Sequence, residues 1–209
     1  MTRMNGRFSL LVISLLAAPV TLAEELPSFQ VAAHAGYRLG GSLEDSVTGD
    51  SRDLDEGGSF ALALELRFGK GEDRYLQLWY SRQGSGVDDD GTTRDVDVEY
   101  LHFGGTVPFG DYDRIRPYLS MGVGATRFSP TGAGSNDETK FSGSLGLGFA
   151  VPLSKRAALR LETRGYLTVV DSSSAIFCRS DNGSGFCRIV ASGSTIFQAE
   201  VLAGFAVGF

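Results

Sequence analysis

The sequence predicts an all-β protein: an eight-stranded antiparallel transmembrane β-barrel preceded by a cleaved signal peptide. Three observations carry this reading. Eight segments alternate apolar and polar residues with period two, the connections between them alternate long and short, and a basic then apolar stretch stands ahead of them. Composition agrees. The chain has 209 residues with 28 glycines, 42% apolar and 21% charged residues, and a formal charge of −6. That is ample for one domain, too apolar for global disorder, and without the run of ~18 uncharged apolar residues that a membrane helix needs. The acidic balance argues against nucleic acid as a partner, because phosphate binding needs clustered Lys and Arg.

The first segment reads as an address. Arg3 and Arg7 supply a basic start, and residues 8–18 (FSLLVISLLAA) are apolar. Thr21-Leu22-Ala23 then offers a small-x-small cleavage site ahead of Glu24-Glu25. Eleven apolar residues would span only ~16 Å as a helix, about half a bilayer core, so a permanent anchor is disfavoured. Cleavage between Ala23 and Glu24 leaves a domain of residues 24–209 with 17 basic and 25 acidic residues.

The strands follow in order. In residues 29–39, Phe29, Val31, Ala33, Ala35, Tyr37 and Leu39 alternate with Gln30, Ala32, His34, Gly36 and Arg38. Residues 60–68 set Phe60, Leu62, Leu64, Leu66 and Phe68 against Ala61, Ala63, Glu65 and Arg67. Residues 75–83 set Leu76, Leu78 and Tyr80 against Gln77, Trp79 and Ser81. Residues 96–107 begin with Val96, Val98 and Tyr100 against Asp97 and Glu99, after which Leu101 and Phe103 fall in the polar phase. A bulge near His102 is expected to restore the alternation. Residues 117–128, 141–151, 158–170 and 196–209 complete the set, with Arg160, Glu162, Arg164 and Glu200 on the polar face of the last two.

A soluble barrel and a membrane barrel both alternate. Two further features choose the membrane. Most segments run longer than the soluble mode of ~5–6 residues and near the ~9–11 needed to cross at a tilt. Residues 40–58, 84–95, 129–140 and 171–195 form long polar connections, whereas 69–74, 108–116 and 152–157 are short, so one end carries loops and the other tight turns. The large apolar face then meets lipid. Arg38, Glu65, Arg67, Asp97, Glu99, Arg160, Glu162, Arg164 and Glu200 face a lumen, where they must pair. Arg160 is expected against Glu200 or Glu162. Eight strands leave a lumen filled by side chains.

With its leader, eight strands, the segment YLQLWYSRQ at 75–83 and a terminal aromatic, the chain resembles the small outer-membrane β-barrel proteins of Gram-negative bacteria, the OmpA/OmpX/OmpW-like or porin-family barrels. The resemblance spans the mature chain. It implies residence in the outer membrane among lipid and lipopolysaccharide, and a monomer. It also implies an assembly-machinery signal on Val201, Ala203, Phe205, Val207 and Phe209. No OmpA-type peptidoglycan-binding domain is expected after the barrel.

Candidate chemistry is sparse. Cys178 and Cys187 share the last long connection, and export exposes them to an oxidising compartment, so a disulfide is expected. Asp88-Asp89-Asp90-Gly91 resembles a calcium loop, but Gly86 occupies the first ligand position, and a solvated acidic loop is the better reading. His34 and His102 carry no serine two residues away, so no catalytic, metal or cofactor site is expected. The expected role is structural or interactive, through four surface connections. A narrow solute pore of the OmpW-like kind and a lipid-modifying outer-membrane enzyme stand as alternatives.

Overall fold

The computed structural model describes residues 27–44, 51–69, 74–89, 92–110, 114–130, 137–170, 175–181, 184–190 and 195–209. The expected signal peptide and its cleavage site at Ala23 and Glu24 lie outside the described residues. The described residues form twelve strands: β1 (Phe29–Leu39), β2 (Ser42–Glu44), β3 (Ser51–Asp53), β4 (Gly57–Phe68), β5 (Arg74–Asp89), β6 (Thr92–Pro108), β7 (Arg116–Pro130), β8 (Glu138–Pro152), β9 (Ala157–Val169), β10 (Ala175–Asp181), β11 (Ser184–Val190) and β12 (Thr195–Gly208). Eight of them close a barrel in the order β1-β12-β9-β8-β7-β6-β5-β4. The other four form two hairpins, β2–β3 and β10–β11, inside the first and last long connections.

Closure is antiparallel throughout. Stepping sideways from Phe29, the cross-strand partners are Leu66, Leu76, Gly105, Met121, Leu145, Gly165 and Ala199, and the circuit returns to β1 at Leu39, ten residues higher. With ~3.3 Å per residue and ~4.8 Å between strands, that stagger over eight strands tilts them by roughly 40°. Each barrel strand is paired on both sides, which is what a hydrocarbon surrounding demands.

The two faces separate as the alternation requires. Leu62, Leu64, Leu66, Leu78, Leu145 and Leu161 are among the aliphatic side chains pointing outward. Aromatic residues gather towards both rims of this band. Phe68, Phe149 and Phe209 lie towards the short-turn end and Tyr37, Phe60, Phe141 and Phe197 towards the loop end, the positions amphipathic interfaces favour. At the short-turn end the terminus is tied down: Phe209 N–H donates to the Phe29 carbonyl at 2.8 Å, and their rings lie 6.2 Å apart.

The β5–β6 hairpin corrects the reading of the fourth segment. Its register runs unbroken from Tyr75↔Thr106 to Asp89↔Thr92, and β6 pairs with β7 without a shift from Val96 to Pro108, so no bulge lies at His102. The strand keeps one phase while the surroundings change. In the lower part of β6, Leu101 and Phe103 point out to lipid and His102 points in. Above them Val96, Val98 and Tyr100 are buried inside, and Asp97 and Glu99 point out. Beyond the bilayer the barrel is a water-soluble one, apolar within and charged without, so the polarity rule inverts along a single strand. Asp97 and Glu99 are therefore exterior charges, not members of the lumen network.

Candidate functional site

The lumen is filled in tiers. Nearest the short turns, Arg160 reaches Glu65 at 2.6 Å and Gln30 at 3.2 Å. Gln77 and Thr106 each donate to the same Glu65 oxygen, at 2.9 and 3.0 Å. In the middle tier Arg164 donates through Nε to Glu162 at 2.7 Å and through Nη2 to Gln77 and Ser120, both at 2.9 Å. Its guanidinium lies 3.7 Å from the ring centre of Trp79, a cation–π stack in a water-poor setting. Tyr118 and Ser120 complete the Glu162 carboxylate, each at 2.9 Å.

The upper tier joins the seam between the first and last strands. Arg38 meets Glu200 at 3.1 Å and also donates to Ser81. Tyr166 accepts a hydrogen bond from Trp79 Nε1 at 3.0 Å and donates its own hydroxyl proton to Glu200. Tyr100 stacks on Tyr166 with centroids 4.0 Å apart. Three arginines thus face three glutamates, one partner each, and nearly every lone pair is used.

Above this tier apolar side chains join the buried Gln83, Ser85 and Gln198 in the interior. Val96, Val98, Phe128, Val170 and Ile196 are buried there, and Leu54, from the first long connection, is buried among them. Leu54 N–H donates to the Gly41 carbonyl at 2.9 Å, and the Asp55 carbonyl accepts from Gln83 at 3.1 Å and Ser85 at 2.6 Å. Leu54 and Asp55 of the first connection are therefore folded into the loop-end opening.

Of the nine charges expected inside, Arg38, Glu65, Arg160, Glu162, Arg164 and Glu200 lie there, each at most 6% exposed. Arg67 points inward, half-buried towards the short-turn end. Arg160 pairs with Glu65, not with Glu200 or Glu162. Asp97 and Glu99 stand outside, with Arg82 2.6 Å from Asp97 and Arg127 3.6 Å from Glu99. Arg127 also binds Asp137, and that hydrogen bond holds the Asp137 carboxyl below the usual carboxylate range. Val201, Ala203, Phe205, Val207 and Phe209 form the outward face of β12.

Sequence spacing missed the surroundings of His102. Its two ring nitrogens lie 2.8 Å from Ser142 Oγ and 2.9 Å from Ser144 Oγ, on the second strand over. The imidazole reaches them across β7 because Gly122 and Gly124 lie between. A Cβ on Gly124 would sit 2.9 Å from His102 Cδ2. The glycine pair facing a histidine was the available signal, but reading it needs the register. His102 and Ser142 are buried beside Tyr100 and Tyr166, whereas Ser144 is half-buried. Among the described residues no group of acidic, histidine or cysteine side chains is arranged to hold a metal ion.

An aliphatic exterior, aromatic rims and a neutral, ion-paired interior on a closed antiparallel sheet define a transmembrane β-barrel of the small, side-chain-filled kind. The chain belongs to the outer membrane protein beta-barrel domain family, whose model matches residues 8–182. No curated protein matches it. Among solved structures it is similar to Neisserial surface protein A, with a TM-score of 0.61 and 16% identity over 89% of this chain and 100% of that one. It is also similar to the outer membrane protein OprG from Pseudomonas aeruginosa, with a TM-score of 0.55 and 11% identity over 88% and 97%. The outer membrane protein AlkL, solved in lipid bilayers, gives a TM-score of 0.54 and 15% identity over 94% and 98%. At these identities the likeness is one of fold.

Proposed function

We propose that this chain is an exported, monomeric resident of the outer membrane that acts through its surface connections and not as a conduit or an enzyme. The occluded lumen carries the reading. A solute entering from the loop end meets Leu54 and the apolar cap, then the Arg38–Glu200–Tyr166 tier, then two further ion-pair tiers. Opening that path would strand several buried charges at once, at several kcal/mol each. Among the described residues, His102 meets Ser142 and Ser144 with no carboxylate on its ring to complete a catalytic set, which speaks against a lipid-modifying site.

Single-channel recording of the refolded protein in planar bilayers tests this. No conductance steps are expected. Resolved, reproducible steps would overturn the reading in favour of a narrow solute pore. Export is tested separately: protein from the outer-membrane fraction is expected to begin at Glu24, and recovery in the soluble periplasmic fraction would contradict the placement.

A further inference from the structure

At the short-turn end the lumen is not filled to the rim. A cavity of about 110 Å³ opens there, with Arg160 on its inner side and Arg116 on its outer side. The space exists because the inward positions of β8, β9 and β12 shrink to Ala150, Ala158 and Ala206 at this level. Ala150 is the direct register partner of Arg116 on one side and of Arg160 on the other. The two arginines therefore flank a single methyl group, two strand spacings or roughly 10 Å apart at the backbone. Arg160 is 6% exposed, and its hydrogen bonds to Glu65 and Gln30 both leave from Nη2. Its Nε is buried without an acceptor, and Nη1 meets none among the described residues. Arg116 is exposed and has no ion pair or hydrogen bond among the described residues. Lys155 and Arg156 line the same cavity from the β8–β9 turn, and among the described residues no acidic side chain lines it.

We infer that this cavity is a binding site for one phosphate-sized oxyanion, inorganic phosphate or a small phosphomonoester, held between Arg116 and Arg160 over Ala150. The volume is that of several waters, room for a single tetrahedral anion. Glu65 offsets the charge of Arg160, so the pull on an anion comes from Arg116 and the turn beside it, while Arg160 supplies directional N–H donors. The oxygens of a phosphate can engage two guanidinium forks at once, whereas a carboxylate fills one. Arg116 shares the phase of the inward Tyr118 and Ser120, so the site faces the aqueous end of the lumen and not hydrocarbon. That orientation favours a soluble anion over a lipid headgroup. In the outer-membrane placement the water there is periplasmic. The site lies at the end opposite the surface connections, so it stands or falls apart from the role proposed for them.

The test is a titration of the refolded protein, in non-ionic phosphate-free micelles at constant ionic strength, with inorganic phosphate and with glycerol 3-phosphate, followed by phosphorus NMR line broadening. Saturable binding with a Kd of about 1 mM is expected for both probes, and R116Q should weaken it about tenfold while keeping a heat-modifiable barrel. A150L should abolish it by filling the gap with every charge left in place. Absence of saturation, or an unchanged Kd in R116Q and A150L, would overturn the site. Equally tight competition by acetate would overturn the assignment to a phosphate-type anion. Retention of phosphatidylglycerol through Arg116, with no response to either soluble probe, would move the site to a lipid headgroup and overturn the soluble ligand. Glu24 and Glu25 stand just ahead of Pro27, which lines the cavity, so binding seen only in E24Q/E25Q would show that the chain's own carboxylates occupy it and would overturn an external ligand. If A150L fails to fold, the comparison of wild type with R116Q decides.

Discussion

Arg38 and Glu200 face each other across the seam where the first and last barrel strands meet, as direct register partners 3.1 Å apart and shielded from solvent. The pairing that joins the two ends of the sheet is therefore held by an ion pair as well as by backbone hydrogen bonds. Its energetics are lopsided: making the pair yields little net stability, whereas removing one member leaves the other charge stranded.

Replacing Glu200 by Leu should destabilise the barrel by about 3–5 kcal/mol, with Arg38 left among Tyr100, Tyr166 and Ser81. Arg160→Leu should cost a similar amount by stranding Glu65. Leu161→Val, on the lipid face one residue away, should cost about 1 kcal/mol or less. Urea unfolding in micelles reads all three. A common midpoint would show that inward and outward positions had been misassigned.

The two histidines should behave differently. His102 has a serine hydroxyl on each ring nitrogen, while neither nitrogen of His34 has a hydrogen-bond partner among the described residues. His102→Leu should cost about 1–3 kcal/mol because it strands the buried Ser142, and His34→Leu close to nothing. Equal losses would place an ordered water or ion on His34.

Gly146 is the floor under Glu162. A methyl group there would fall inside contact distance of Ser120 Oγ and Glu162 Oε1. Gly146→Ala should destabilise the fold by about 1–3 kcal/mol through the displaced carboxylate, whereas an alanine at Gly58, with open space around it, should not. Thermal unfolding of the pair in one detergent makes the comparison.

The β10–β11 register sets Cys178 opposite Cys187. Protein taken unreduced from cells should show no thiol accessible to labelling after denaturation, and reduction should loosen that hairpin while the strands stay intact. Two labelled cysteines would refute the bond.

Deleting Phe209 separates assembly from stability. The residue gives one ring contact with Phe29 and a few backbone bonds at the short-turn rim, so the truncated chain should still refold in micelles. If the outward face of β12 is read during assembly, the same chain should be depleted from the outer membrane in cells. Normal levels there would remove Phe209 from that role.

Most of the wall was legible because lipid imposes one rule at every position. The limits of β1 and the inward placement of Trp79 and Arg164 follow from alternation alone. Val96, Val98, Asp97 and Glu99 were misread because alternation reports a change of face and not which face is wet, and the rule reverses where β6 leaves the bilayer. The Arg160–Glu65 pair and the serines on His102 depend on stagger between strands distant in sequence, which no local pattern encodes. The seating of Leu54 in the loop-end opening was likewise invisible, as an isolated apolar residue in an acidic connection reads as chance.

The reversal along β6 also fixes how far the molecule stands from the cell. From Arg82 to Asp89 the β5–β6 hairpin continues for seven residues past the exterior Arg82–Asp97 pair. At its tilt that amounts to about 18 Å. An antibody or protease outside an intact bacterium would meet this tip and the β10–β11 hairpin first. Antibodies raised against whole cells are therefore expected to map to the projecting hairpins and not to the wall.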